Sequence, residues 1–118
     1  MIFIEGEFMK SIELKNNKLL INFDLRDDFD KFSMLCLDLL DTEEEDLEII
    51  ISDAVVSLSS RYIGVIISTE VKAQETKKKL TIDCNERLYK LFNIIGGSHL
   101  HLVCRKEVYD LDEQMTIG

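Results

Sequence analysis

The chain has no proline, no tryptophan, five glycines, three cysteines and no uninterrupted apolar run approaching 18 residues. Without such a run no membrane-spanning helix is expected, and no charged-then-apolar leader opens the sequence, so a soluble, cytoplasmic protein is the expectation. Three cysteines cannot all pair, and none stands in a Cys-x-x-Cys spacing. A thioredoxin-type redox pair is therefore excluded, and reduced thiols are expected. The few glycines form neither Gly-x-Gly-x-x-Gly nor Gly-x-x-x-x-Gly-Lys, which removes the dinucleotide and phosphate-loop signatures. No Gly/Ser linker, internal repeat or low-complexity tract divides the chain.

What is present suits one compact domain. The 118 residues are 46% hydrophobic, enough to build a core and too apolar for disorder. The domain is placed at residues 10–116, with 1–9 as an N-terminal extension or an extra strand. The net charge of −9 is concentrated between Asp24 and Glu48, where eleven acids meet two bases, and the rest of the chain is balanced. An acidic segment of that kind repels a phosphate backbone. Only Lys77-Lys78-Lys79 forms a basic run, so nucleic-acid binding is disfavoured.

Periodicity gives the order of elements. Ser11–Leu14 and Lys18–Phe23 alternate around Asn16-Asn17, and asparagine tolerates the positive φ that a two-residue hairpin turn needs. From Asp28 to about Leu40, Phe29, Phe32, Leu35, Cys36, Leu39 and Leu40 recur at three- and four-residue steps, the stripe of an amphipathic helix. Leu47–Ile51 is nearly continuous in apolar residues and reads as a strand covered on both faces. A second helix follows Ser59-Ser60 to about Thr76, with Ile63, Ile66, Ile67 and Val71 inward. Lys79–Cys84 alternates as a strand. Asn85 to about Ile95 forms a third helix with Leu88, Leu91, Phe92 and Ile95 inward, stopped by Gly96-Gly97. Leu100–Cys104 is a strand, and Lys106 to Met115 a last short helix. The resulting ββαβαβαβα order implies an α/β fold with a mixed sheet.

Few constellations carry chemistry. His99 and His101 share a strand face, but Cys104 lies an odd number of residues from His101 and points to the other, so no metal site is assigned. The Glu43–Asp46 carboxylates lack the spacing and the glycine of a calcium loop. No nucleophile–base pair can be assembled, and neither a catalytic residue nor a cofactor is expected.

The informative stretch is Val56-Ser57-Leu58-Ser59-Ser60-Arg61-Tyr62-Ile63-Gly64, between a strand and a helix. Ser59 or Ser60 stands at the helix N-cap, where a serine oxygen accepts from an otherwise unpaired N–H. A phosphate added there would meet free amides and a favourable helix dipole while changing the surface charge by about −1.5 to −2.

In this order of elements the stretch resembles the STAS domain family of bacterial anti-sigma factor antagonists, whose pattern is a strand followed by Asp-Ser-Ser-Gly-Leu-Gly opening a helix. An ungapped match sets Ser59 on the family aspartate, Ser60 on the phosphorylatable serine, Arg61 on the second serine, Tyr62 on the first glycine, Ile63 on leucine and Gly64 on the last glycine. The likeness covers roughly residues 10 to 115. It departs from the family where Ser59 replaces the aspartate and Tyr62 a glycine. The resemblance implies a four- or five-stranded mixed sheet packed on about four helices, and a regulatory module without catalysis. It also implies a kinase-like anti-sigma factor as protein partner, released by phosphorylation of Ser60, or of Ser59 in the alternative. The partner surface would be Ser57, Ser59, Ser60, Arg61, Tyr62 and Gly64, on a monomer or weak homodimer. A small-ligand or nucleotide-sensing module of the same family is the alternative.

Overall fold

The structure is a computed structural model that describes residues 10–26, 28–96 and 100–105. Two antiparallel strands, β1 (Ile12–Lys15) and β2 (Lys18–Ile21), open the fold. There follow α1 (Phe29–Leu40), β3 (Asp46–Ile51), α2 (Ser60–Glu75), β4 (Lys79–Asn85), α3 (Glu86–Gly96) and β5 (His101–Arg105). The expected last helix at Lys106–Met115, the 1–9 segment, Gly97 and His99 lie outside the described residues. Among the described residues there are three helices, against about four expected.

The five strands lie in chain order, β1-β2-β3-β4-β5, and every pair after the hairpin is parallel. Each strand–helix–strand crossover thus steps one strand over in the same direction. Because such crossovers are right-handed, all three helices fall on one face of the sheet. The burial of the strands agrees. Leu19, Ile21, Leu47, Ile49, Ile51, Leu80, Ile82 and Cys84 are buried, while the intervening Lys18, Leu20, Glu48, Ile50, Thr81 and Asp83 are exposed or half-buried. The expectation that β3 is covered on both faces is corrected for the described residues: Ile50 is half-buried, on the face that carries none of the described helices.

Local chemistry fixes the element ends. Asn16 takes φ 56° between the paired Lys15 and Lys18, the positive φ that the hairpin turn requires. Past α2, Lys77 takes φ 62°, Lys77 N–H bonds the Gln74 carbonyl and Lys78 N–H bonds the Ala73 carbonyl at 2.8 Å. This Schellman closure is made without glycine. The Lys78 ammonium then bonds the carbonyls of Leu40 and Thr42, tying the α2–β4 turn to the end of α1. The Asn85 side chain accepts from Leu88 N–H at 3.0 Å and caps α3, so Asn85 ends a strand and starts a helix.

The core lies between the sheet and the helices. Phe32, Cys36 and Leu39 of α1 and Tyr62, Ile63, Ile66 and Ala73 of α2 meet the inward strand residues, with Leu88 and Phe92 of α3. Two residues expected inside are not: Val71 and Ile95 are 49% and 48% exposed. The inner face of α2 follows Tyr62-Ile66-Thr69-Glu70-Ala73, which leaves Val71 on the opposite side.

Candidate functional site

The Ser57–Gly64 stretch stands at the C-terminal end of the parallel strands, where β3 hands over to α2. The connecting loop is pinned from both sides. Ser52 N–H extends the ladder to the Ile21 carbonyl at 2.9 Å, and a turn closes with Val55 N–H on the Ser52 carbonyl. Val55 and Leu58 plug into the core while Val56, Ser57, Ser59 and Ser60 face outward. One carboxylate oxygen of Asp24 accepts from the N–H groups of Val56 at 2.7 Å and Ser57 at 3.3 Å. From the other side Arg87, at the start of α3, donates to the Val56 carbonyl at 2.9 Å.

Ser59 is the N-cap of α2, with extended backbone (φ −69°, ψ 161°), and its side chain makes no capping hydrogen bond. Its carbonyl accepts the first intrahelical bond from Ile63 N–H at 3.1 Å. Ser60 is the first residue of the 16-residue helix and is exposed. No acidic residue occupies that first turn. The arrangement leaves the positive end of the α2 dipole without a side-chain anion.

Arg61 is exposed but engaged. Its guanidinium lies 4.0 Å from the ring centre of Phe29 on α1, a cation–π contact. Tyr62, matched above to a glycine and expected on the partner surface, is 4% exposed. Its ring packs edge-on against Phe29 and Phe32, at centroid distances of 5.7 and 5.4 Å. Its hydroxyl accepts from Asp28 N–H at 3.3 Å and donates to the Arg26 carbonyl at 3.2 Å. Tyr62 therefore joins the start of α2 to the start of α1 and offers no side chain to a partner. Gly64 is exposed, and a Cβ there would meet nothing within 4 Å. Space alone does not require glycine at this position.

The acidic segment is not remote from this site, although it is distant in sequence. Asp24 clamps the loop, and Asp28 is the N-cap of α1 beside the Tyr62 hydroxyl. Proximity across 30 or more residues comes from the β2–α1 connection crossing the same end of the sheet.

His101 and the three cysteines sit in structural surroundings. His101 Nδ1 lies 2.9 Å from the carboxylate of Glu70, whose side chain is 1% exposed and also accepts from Gln74. Sequence spacing gave no sign of this buried carboxylate. Cys84 and Cys104 are register partners on β4 and β5, and both are free thiols. Burial pushes the Cys84 thiol up to about 12 and the Cys36 thiol up to about 11, the latter moderated by the Thr69 hydroxyl. Such thiols are protonated and inert at neutral pH. At the C-terminal end of β5 Arg105 forks to Asp83 at 2.5 Å, to Asp53 at 2.8 Å and to the Ile51 carbonyl at 2.6 Å. Burial would lower its pKa, but the two carboxylates outweigh that and hold the guanidinium above its ordinary value.

No helix among the described residues is long and apolar enough to cross a membrane. Set beside known proteins, the chain is matched by no family model and by no curated sequence.

Proposed function

We propose that the chain is a regulatory protein–protein interaction module of the anti-sigma factor antagonist type, with the start of α2 as its switch. Ser60 is the residue modified, with Ser59 the alternative, and the partner is a kinase-like anti-sigma factor that binds the unmodified form. The observation that supports this reading is the setting of Ser60: exposed, first in a long helix, behind an N-cap that makes no side-chain bond. A phosphate there meets helix amides and a favourable dipole. It would add charge to a helix start that follows a loop held in place by Asp24 and Arg87, so the surface would change while the fold stays. Ser57, Ser59 and Gly64 share this exposed edge with Ser60, whereas Tyr62 supports it from inside.

The test is capture of partners from a source lysate on immobilised wild type, Ser60→Ala and Ser60→Asp, with phosphosite mapping of the chain after incubation with ATP and the captured partner. The expected result is retention of an ATP-binding partner by wild type and Ser60→Ala, loss by Ser60→Asp, and phosphate on Ser60. Equal retention by Ser60→Asp would overturn the switch.

A further inference from the structure

We infer that the outer face of α1 and α2 is a self-complementary surface that pairs two copies of this chain side by side, α1 of one over α2 of the other. The two helices run in the same direction, since both return from the C-terminal ends of parallel strands to the starts of the next. Their starts lie level, because Arg61 stacks on Phe29 and Tyr62 bonds Asp28. Between them runs a groove of about 310 Å³ lined on one side by Ser33, Cys36 and Leu37 and on the other by Arg61, Gly64 and Ser68 among others, ending at Lys72.

Shape and charge each divide across this groove. On the α1 side Met34 and Leu37 stand out from the surface, 63% and 50% exposed. On the α2 side the matching level is low, with exposed Gly64 and Ser68. Asp30 and Asp41 lie on the same stripe of α1 as Leu37, seven residues before it and four after, and both are exposed. Arg61 and Lys72 bound the α2 side, about 16 Å apart along the helix. Neither cation forms an ion pair among the described residues. One rim is therefore raised and carries Asp30 and Asp41, with the Lys78 ammonium on the carbonyls either side of Asp41. The other is recessed and carries Lys72 and the base of Arg61, whose guanidinium reaches over Phe29, with Glu75 exposed three residues past Lys72.

A two-fold axis parallel to the helices brings each rim over its opposite. Asp30 then faces Arg61 of the second copy, Leu37 faces the Gly64–Ser68 dip, and Asp41 faces Lys72. The axis across the helices would set acid on acid, so charge selects one of the two arrangements. Two such helix faces bury on the order of 1,000 Å² in total, at the low end of specific interfaces, which suits a weak and reversible pair. The inference does not rest on modification of Ser60, and it stands or falls separately from the proposed switch.

The experiment is sedimentation velocity of the full chain over a concentration series up to about 1 mM, for wild type, D41K, K72D and an equimolar mixture of the two variants. Asp41 and Lys72 lie at exposed helix ends, and circular dichroism checks that each variant folds. Wild type is expected to dimerise. Each variant alone sets like charges opposite at both contacts and should dimerise at least about tenfold more weakly, a difference of about 1.4 kcal/mol. In the mixture one copy carries two positive charges at these positions and the other two negative, so both contacts are attractive and a heterodimer should form as tightly as the wild-type pair. A wild-type chain that stays monomeric throughout overturns the inference. So do variants that dimerise like wild type, or a mixture that fails to recover.

Discussion

The hydroxyl of Tyr62 receives a hydrogen bond from the backbone N–H of Asp28 at 3.3 Å, so the first turn of α2 closes the open end of α1. Asp28 makes no side-chain cap of its own. The same hydroxyl donates to the Arg26 carbonyl, and the ring fills the space against Phe29 and Phe32. Tyr62→Phe keeps the ring and loses both hydrogen bonds, at an expected cost of about 1–2 kcal/mol. Tyr62→Ala also removes the ring and should cost about 3–5 kcal/mol, in line with large-to-small core changes of aromatic residues. Urea unfolding of the two variants measures both, and a neutral Tyr62→Ala would show that α1 and α2 do not depend on this joint.

Asp24 holds the candidate switch loop by accepting from two consecutive backbone N–H groups. Asp24→Ala leaves those amides to water. The expected outcome is faster amide exchange at Val56 and Ser57, by about tenfold or more, with core amides of β3 and β4 nearly unchanged. Hydrogen-exchange mass spectrometry or NMR reads this directly. Uniform acceleration across the sheet would mean that Asp24 supports global stability and not the loop.

The reactivity of the thiols follows from burial. Cys36 and Cys84 are buried and their pKa values raised to about 11 and about 12, whereas Cys104 is half-buried. At pH 8 one thiol per native chain should react with an alkylating reagent, and all three after unfolding. The sign of the pH dependence is also set. Below about pH 9 both buried thiols are protonated in folded and unfolded chains alike. Above it the unfolded chain releases protons that the folded chain retains. Stability should therefore fall as pH rises from about 9 towards 11 to 12. Denaturant midpoints at pH 7, 8, 9 and 10 test this against a Cys36→Ala, Cys84→Ala double variant, which should lose part of the slope.

The edge strand β5 is fastened at its C-terminal end by one side chain. Arg105 reaches Asp83 on the neighbouring β4, then Asp53 and the Ile51 carbonyl beyond it. Lysine carries the same charge but not the planar fork, so Arg105→Lys cannot make all three contacts. The variant should lose about 1–3 kcal/mol, the range for hydrogen bonds to charged groups. The effect should concentrate on exchange of β5 amides. If Arg105→Lys behaves as wild type, one point charge suffices and the fork contributes nothing.

The elements were legible where the signal was local. Asn16-Asn17 marked the hairpin because the turn needs a residue tolerant of positive φ, and the stripe from Phe29 to Leu40 marked α1 because a helix repeats every 3.6 residues. That the described helices all lie on one face is not legible from Ile49-Ile50-Ile51, because a β-branched run looks the same whether its middle residue is buried or half-exposed. The strand-to-helix junction at Ser59-Ser60 is legible in the sequence because two serines stand between an apolar run and a helical stripe. Its supports were missed because each joins residues more than 30 apart: Asp24 to Val56, Tyr62 to Asp28, Arg87 to Val56. Matching Tyr62 to a glycine put it on the surface, yet the two phenylalanines of α1 supply an aromatic slot that draws it inside.

A negative charge at Ser60 should leave the fold itself nearly as stable as before. Ser60 is exposed at the first position of α2, and no acid stands in that turn. A carboxylate placed there faces the positive end of the helix dipole, worth about 0.3–1 kcal/mol in favour of the folded state. Asp24 and Asp28 in the neighbouring connection oppose it, though Asp24 is already held by two amides. The balance predicts a melting temperature for Ser60→Asp within about 3 °C of wild type, given that 1 kcal/mol corresponds to roughly 3–6 °C in a chain of this size. Ser60→Lys puts the opposite charge at the same place and should melt below Ser60→Asp. Differential scanning calorimetry at low and high salt separates the two, because the difference shrinks as salt screens the dipole. A Ser60→Asp variant that melts far below wild type would show that charge at this position disrupts the fold, and a loss of partner binding in that variant would then no longer report a switch.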